Sequence, residues 1–188
     1  VGGVTVWGWA TDTILEALGD GWLQEGWAEY SFRQPVYPGD ILLIRAALDA
    51  SADSESWDVE MINQAREVCV SGKVGNGRAD WFRELMRPSH MQPVDESPAK
   101  GPLTLENAQP GKDWLAAKLD FSEQECREFT TEKQHTDNPL FLGARAIAHP
   151  SWTAGWAEKL MRHNFEIPTS MHTRSWVQHL SKIPTGTT

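Results

Sequence analysis

The sequence predicts an α+β fold in which a helix is followed by an antiparallel meander of strands. Residues 5–18 place apolar side chains at helical spacing. Residues 22–47 then alternate apolar and polar side chains, as Ala28, Tyr30 and Phe32 show. Two further apolar runs, at 57–63 and 68–74, are joined by a short connection. This order favours one helix packed on a sheet of consecutive hairpins.

The first helix is predicted from its spacing and from its stop signal. Trp9, Thr13, Ile14 and Leu18 have helical spacing, and a Gly-Asp-Gly sequence at 19–21 follows them. After the first predicted strand, a Pro-Gly turn at 35–40 leads to a second apolar run. We therefore expect a single helix followed by a turn-linked pair of strands.

The second half repeats the alternation of helix and strand. The pattern at 121–132 predicts a short helix capped by Ser122, with Glu125 three positions later in a capping-box arrangement. The elements predicted after it are a loop at 135–142, a Trp-rich helix at 152–163 and a strand at 171–180.

Composition excludes several classes of protein. The 188 residues are 40% hydrophobic and 23% charged, which is typical of a globular chain, and the formal charge of −9 argues against a nucleic-acid partner. There is no apolar run of the roughly 20 residues that a membrane span needs, and no secretory signal pattern. We therefore expect a cytoplasmic protein. We also expect neither a metal nor a cofactor, because the two cysteines lack metal-ligand spacing.

A proline-rich segment divides the chain. Residues 87–112 contain five prolines among Ser, Asp, Glu and Gly, the composition of a linker. The predicted organisation is a unit at 1–86, a linker at 87–112 and a second unit at 113–188.

The two units share a pattern. Gly8-Trp9-Ala10 and Gly155-Trp156-Ala157 each open a helix, and each helix leads to a strand and a Pro-Gly or Pro-Thr-Gly turn. The two motifs are roughly 145 residues apart. This spacing indicates a domain duplication, because the repeats of a solenoid are only about 20 to 50 residues long. Ten tryptophans reinforce the expectation of a core or an interface rich in large rings.

Three segments resemble MaoC-like hot-dog hydratases and dehydratases. Residues 29–40, EYSFRQPVYPGD, resemble the strand and turn after the central helix of that family. Residues 61–74 resemble its next hairpin, with Arg66 where the family has glycine. Residues 137–141, DNPLF, with 146–150, AIAHP, resemble its catalytic loop and helix start. The resemblance implies a double hot-dog fold with long central helices wrapped by antiparallel β-sheet, and residues upstream of Val1.

The resemblance also implies a function in fatty-acid metabolism. The family are hydro-lyases that add or remove water at an enoyl or 3-hydroxyacyl thioester of CoA or an acyl-carrier protein, using an Asp and a His of the loop as acid and base. Here Thr136 and Phe141 occupy those two positions, and neither transfers a proton at neutral pH. The equivalent loop of the first repeat would lie upstream of Val1.

Six residues are the predicted site. His135, Asp137 and His149 are candidates for a rebuilt acid/base set, with His149 close to the expected thioester carbonyl. The predicted substrate-binding residues are Asn138, Trp152 and Arg174. The structural alternative is that Asp137 and Asn138 only turn the loop.

Other functions stay open at this point. The chain could be a catalytically silent hot-dog subunit that binds an acyl chain or stabilises a partner, or a thioesterase using Asp137 or Glu158. A homodimer or a hetero-oligomer of hot-dog units is expected. His172 and Ser175 are three positions apart on a predicted strand, and this odd spacing predicts opposite sheet faces and therefore no Ser/His pair.

Overall fold

The computed structural model describes residues 1–51, 55–85, 92–93, 100–109, 111–143 and 145–186. Twelve residues of the predicted linker at 87–112, namely 87–91, 94–99 and 110, therefore lie outside the described residues. The described part is an antiparallel sheet with helices packed on one of its faces, which confirms the predicted α+β class. It contains no helix of the length and hydropathy needed to span a membrane.

The predicted first helix is two helices, α1 (Gly3–Gly8) and α2 (Thr11–Leu18). Between them the backbone N–H of Trp9 donates to Val6 O, and that of Ala10 donates to Trp7 O. These are bonds of the tighter 3₁₀ type, which locally overwind the helix. The prediction of one continuous helix was wrong because spacing alone does not register such a break.

Strands follow in the predicted order. A short helix α3 (Trp22–Glu25) leads to β1 (Trp27–Phe32), and β2 (Leu42–Leu48), β3 (Ser56–Asn63) and β4 (Val68–Gly75) complete the meander. Ala28 and Tyr30 are buried, as their alternation predicted. Trp7 of α1 stacks on Tyr30 with ring centroids 4.2 Å apart, so the inner sheet face and α1 share the main core.

Both predicted turns of the first half form. Asp40 accepts the backbone N–H of Tyr37 at 2.7 Å, and Gly39 has φ 95°, which explains the glycine of the Pro-Gly turn. In the β3–β4 hairpin, Arg66 has φ 65° and its N–H donates to Asn63 O. Arg66 therefore occupies a left-handed position that glycine adopts at lower cost.

The second half has more breaks than its sequence predicted. Ser122 caps α4 (Glu123–Glu128) with Glu125 in a capping box, as expected, and a π-helical turn, Phe129–Lys133, follows. The predicted loop at 135–142 ends in a short helix, α5 (Pro139–Leu142), and the Trp-rich helix is split into α6 (Pro150–Ala154) and α7 (Trp156–Asn164). The expected long central helices are thus pairs of short ones.

The final strand joins the sheet of the first half. Gly101–Pro102, β5, pairs with Phe165–Glu166, β6, in a separate small ladder. Arg174–Gln178, β7, pairs antiparallel with β1, giving the order β2-β3-β4-β1-β7. One sheet therefore contains strands from both halves of the chain.

An approximate two-fold relation links the two halves. Trp9 and Trp156 each follow the first piece of a broken helix, and they are 147 positions apart in sequence. Val4 and Ser151 have the same separation. Val4 and Ser151 touch where α1 packs on α6. The same separation divides Glu29 from Trp176, the central pair of the β1–β7 ladder. Residues 147 positions apart in sequence therefore meet at both crossings, as they would about a two-fold axis.

Candidate functional site

A cleft of about 730 Å³ opens beside the crossing of α1 and α6. One wall is the start of α1 together with Ser151, Trp152 and Gly155. The opposite wall comprises Phe32, which ends β1, the following residues 33–36 and the segment 170–173 that leads into β7. A volume of this size is in the range of pockets that hold small organic ligands.

Cationic side chains surround this cleft. Lys159 Nζ lies 4.8 Å from the centroid of the Trp152 ring, and Arg162 forms a 2.9 Å ion pair with Glu158. Arg33 lies on the opposite wall. The cleft thus combines an apolar interior, to which Trp152 and Phe129 contribute, with a charged rim.

The loop that resembles the family's catalytic loop has a structural role here. Asn138 Oδ1 accepts the N–H of Leu140 and caps α5, while its Nδ2 donates to Asp12 Oδ1 at 2.8 Å. Thr136 Oγ1 accepts the N–H of Asn138. Asn138 therefore ties the loop to α2 of the first half, beyond the turn-forming role of an Asx residue.

Phe141, at the family's histidine position, is fully buried. Its ring centroid lies 4.6 Å from that of His149. Neither Phe141 nor Thr136 has a group that transfers a proton at neutral pH. Phe141 and His149 pack together in the buried interior.

His149 is buried among aromatic rings. Its Nδ1 accepts the N–H of Ser151 at 3.2 Å and so caps α6. Burial lowers the pKa of His149 to about 3, an effect that the carboxylate of Asp12 partly offsets. Its Nε2 has no hydrogen-bond partner within the described ranges. His149 is consequently a neutral imidazole at physiological pH.

The start of α6 presents few free N–H groups. Pro150, at the first helical position, has no N–H, and the N–H of Ser151 already binds His149. Polarisation of a thioester carbonyl needs a free donor at this place. The start of α6 therefore lacks an N–H donor at Pro150, and the N–H of Ser151 is already bound to His149.

His135 and Asp137 lie exposed in the loop before α5. His135 has φ 54°, a left-handed conformation. Across the described part of the chain, neither side chain forms a hydrogen bond or ion pair, and neither lines the cleft. The structure does not bring them into hydrogen-bond contact with His149, and their catalytic role stays a prediction.

The three predicted substrate-binding residues lie in different places. Trp152 lines the cleft, whereas Asn138 is engaged with Asp12 and the start of α5. Arg174 lies on the outer face of the sheet, in a separate depression. Of the three, Trp152 alone has the position that substrate contact in this cleft requires.

Sequence reasoning missed the pair His172 and Ser175. His172 Nε2 lies 2.5 Å from Ser175 Oγ, and His172 lines the cleft. The strand begins at Arg174, so the alternation rule that separated the two residues does not apply to position 172. The prediction that they lie apart was wrong. Burial lowers the pKa of His172 from its ordinary value.

A buried polar contact between the halves was also missed. Gln134 Nε2 donates to Ser151 Oγ at 3.2 Å, and Ser151 Oγ donates to Val4 O at 2.9 Å. Both side chains are buried. The available signal was the small residue Gly8, because a Cβ there would lie 2.5 Å from Ser151 Cβ.

Across the described ranges, no group of three His, Cys, Asp or Glu residues could hold a metal ion.

Comparisons with known proteins give little beyond this geometry. No family model and no curated protein matches the chain. The chain is similar to the crystal structure of HtdX from Mycobacterium tuberculosis, with 14% identity and a TM-score of 0.38. The match covers 81% of this chain and 62% of HtdX, so the chain spans less than two thirds of that protein. A likeness of this size does not establish a family.

Proposed function

We propose that this chain is a double hot-dog unit that binds the acyl chain of a thioester without performing acid/base chemistry on it. The approximate two-fold relation supports the paired architecture. In each half a broken helix leads into a strand, and equivalent residues meet at Val4–Ser151 and at Glu29–Trp176.

The cleft is the observation on which the binding proposal rests. It lies between the two halves, beside the crossing of α1 and α6, and it offers Trp152 and Phe129 to an apolar chain. Lys159 and Arg33 stand at its walls, where they would attract the phosphates of CoA or of a carrier protein's prosthetic group. The ligand class is therefore an acyl-CoA or acyl-carrier-protein thioester.

Three positions argue against hydration at this loop. Thr136 and Phe141 replace the acid and the base, and Pro150 replaces a residue whose N–H could polarise the carbonyl. General acid/base catalysis contributes about 10²- to 10⁴-fold to a reaction rate. A chain that lacks both groups retains binding and loses that acceleration.

Titration calorimetry with dodecanoyl-CoA tests the proposal. Thr173 is exposed and lines the cleft, so Thr173→Trp should fill part of it and weaken binding by about tenfold or more. Thr169 is exposed and does not line the cleft, so Thr169→Trp is the matched control and should bind as wild type does. No binding by the wild-type chain, or equal binding by both variants, would contradict the proposal.

The second candidate is the hydratase with His135, Asp137 and His149 as catalytic groups. The buried, unpartnered Nε2 of His149 is the observation that favours it, because an active-site imidazole needs a free nitrogen. Loss of crotonyl-CoA absorbance separates the two functions. Turnover that Asp137→Ala abolishes would establish the hydratase, and acyl-CoA binding without turnover would establish the silent unit.

The proposed assembly is a homodimer or a hetero-oligomer of such units. Ile41 and Leu43 are exposed at the edge of the sheet, 74% and 63%, which favours association through this side. Sedimentation velocity measures it, and a concentration-independent monomer would contradict it.

A further inference from the structure

The outer face of the sheet, opposite the helices, has an ordered pattern of polar residues. Ser71, Ser31 and Arg174 lie side by side on β4, β1 and β7. Arg33 follows β1 by one residue, and its Nε donates to Ser71 Oγ at 3.1 Å. The hydroxyl groups of the two serines thus lie between the guanidinium groups of Arg33 and Arg174.

These residues line a depression of about 360 Å³. Its other charged or aromatic lining residues are Glu29, Tyr30, Asp58, Lys73 and Trp176. Lys73 is already paired, with Asp58 at 3.7 Å and more closely with Asp49. Glu29 accepts the indole N–H of Trp81 at 2.6 Å. Both lining carboxylates are therefore engaged by neighbouring groups.

Arg33 and Arg174 remain without a carboxylate. Both side chains are exposed, and no ion pair involves either one in the part of the chain that the structure describes. Arg45, on the same sheet face, differs because it is paired with Glu60. Two unpaired guanidinium groups beside two hydroxyls are a donor set suited to an oxyanion.

We propose that Arg33, Arg174, Ser31 and Ser71 bind the phosphate group of a small phosphorylated molecule. The guanidinium groups supply paired N–H donors, and the serines supply hydroxyl donors from the sheet floor. The site shares Arg33 with the acyl-binding cleft, whereas Arg174, Ser31 and Ser71 line only the depression on the other face of the sheet. Arg33 stands where the two regions adjoin and lines both.

Trp176 extends the site toward a flat ring. Its side chain is 52% exposed, and the ring stacks on Trp81 with centroids 5.8 Å apart, which holds its plane fixed. A fixed indole beside a phosphate site would stack on a purine or pyrimidine base. The proposed site therefore binds a mononucleotide more tightly than inorganic phosphate.

Titration calorimetry at low ionic strength with phosphate, AMP and adenosine tests the site. AMP should bind most tightly, inorganic phosphate more weakly, and adenosine hardly at all. Arg174→Gln and Arg33→Gln should each weaken AMP binding by about tenfold. Arg45→Gln removes the same charge from the same face at a paired residue and should leave binding unchanged.

Three outcomes would overturn the proposal. The first is no binding of phosphate or AMP at millimolar concentration. The second is an equal loss in Arg45→Gln and Arg174→Gln, which would show a diffuse electrostatic effect. The third is adenosine binding as tightly as AMP. Far-UV circular dichroism of each variant checks that the sheet is intact, and the two arginine variants test the site independently.

Discussion

Ser151 Oγ donates a hydrogen bond to Val4 O at 2.9 Å, at the place where α1 and α6 cross. The two residues are 147 positions apart in sequence, and Gln134 Nε2 donates to the same hydroxyl. This buried contact fixes how closely the helices approach. It also sets one wall of the cleft, to which both Val4 and Ser151 contribute.

Ser151→Ala should destabilise the fold by about 1–3 kcal/mol, because it removes the buried hydrogen bonds that Ser151 Oγ forms with Val4 O and with the Gln134 amide. Urea unfolding followed by circular dichroism measures the change. Ser181→Ala is the control at an exposed serine and should change stability by less than about 0.5 kcal/mol. Equal effects would contradict the structural role of Ser151.

Gly8→Ala should destabilise the fold by about 1–3 kcal/mol, because the new Cβ would lie 2.5 Å from Ser151 Cβ in a packed interface. Gly21 offers a matched comparison, since it also has negative φ but no atom lies within 4 Å of the place that a Cβ would take. Gly21→Ala should be neutral or stabilising by about 0.4–1 kcal/mol. Thermal unfolding of both variants tests the pair, and a tolerated Gly8→Ala would argue against the close crossing.

Arg66→Gly should stabilise the fold by about 0.5–1 kcal/mol, because the native φ of 65° strains a residue that has a Cβ. Arg145 provides the control, since its side chain is exposed and it is not one of the non-glycine residues with a positive φ. Arg145→Gly should be neutral or destabilising. Denaturant midpoints decide the matter, and a lower midpoint for Arg66→Gly would count against the left-handed turn.

Asn138→Ala should cost about 1–2 kcal/mol, because it removes both the cap of α5 and the bond to Asp12. Gln124→Ala removes a single exposed bond to Glu128 and should cost only about 0.2–0.5 kcal/mol. Unfolding in guanidinium chloride measures both. Similar costs for the two variants would mean that the Asn138–Asp12 contact contributes little in solution.

Acid should destabilise the fold through two buried imidazoles. Burial lowers the pKa of His149 to about 3 and that of His179 to about 4, from an ordinary value of 6.5. The unfolded chain therefore binds protons that the folded chain does not. This contribution to stability is complete above about pH 6.5 and is lost as the pH falls toward the folded pKa values.

Each imidazole contributes a slope of up to about 1.4 kcal/mol per pH unit between roughly pH 6 and 4. His149→Asn keeps an acceptor for the N–H of Ser151 but does not titrate, so its unfolding free energy should depend less steeply on pH. Chemical unfolding across this range measures the difference from wild type. Parallel pH profiles would show that folding does not lower the pKa of His149.

Periodicity predicted the strands better than the helices. The alternation around Tyr30 and the boundaries of β3 and β4 follow from which side chains face the core, a local property of the sequence. The breaks at Trp9 and Gly155 were not predicted. At the first of them the chain passes close to residues of the other half, as the space around Gly8 shows.

The candidate site was predictable only in part. Trp152 was predicted as a substrate-binding residue, and it lines the cleft. The pairing of His172 with Ser175 depends on where β7 begins, and the grouping of Arg33 with Arg174 depends on the register of β1 with β7. Such registers join distant parts of the chain, and no local pattern encodes them.

The ladder between β1 and β7 has a consequence for cleavage of the polypeptide. Five cross-strand pairs, from Trp27–Gln178 to Ser31–Arg174, bind the last strand to the first half. A protease that cuts the connection between Leu85 and Lys100 would leave two pieces sharing one sheet and the Ser151–Val4 contact. The two pieces of the nicked protein would stay associated until denaturant is added. If the two pieces are produced separately, they would have to associate before either could fold completely.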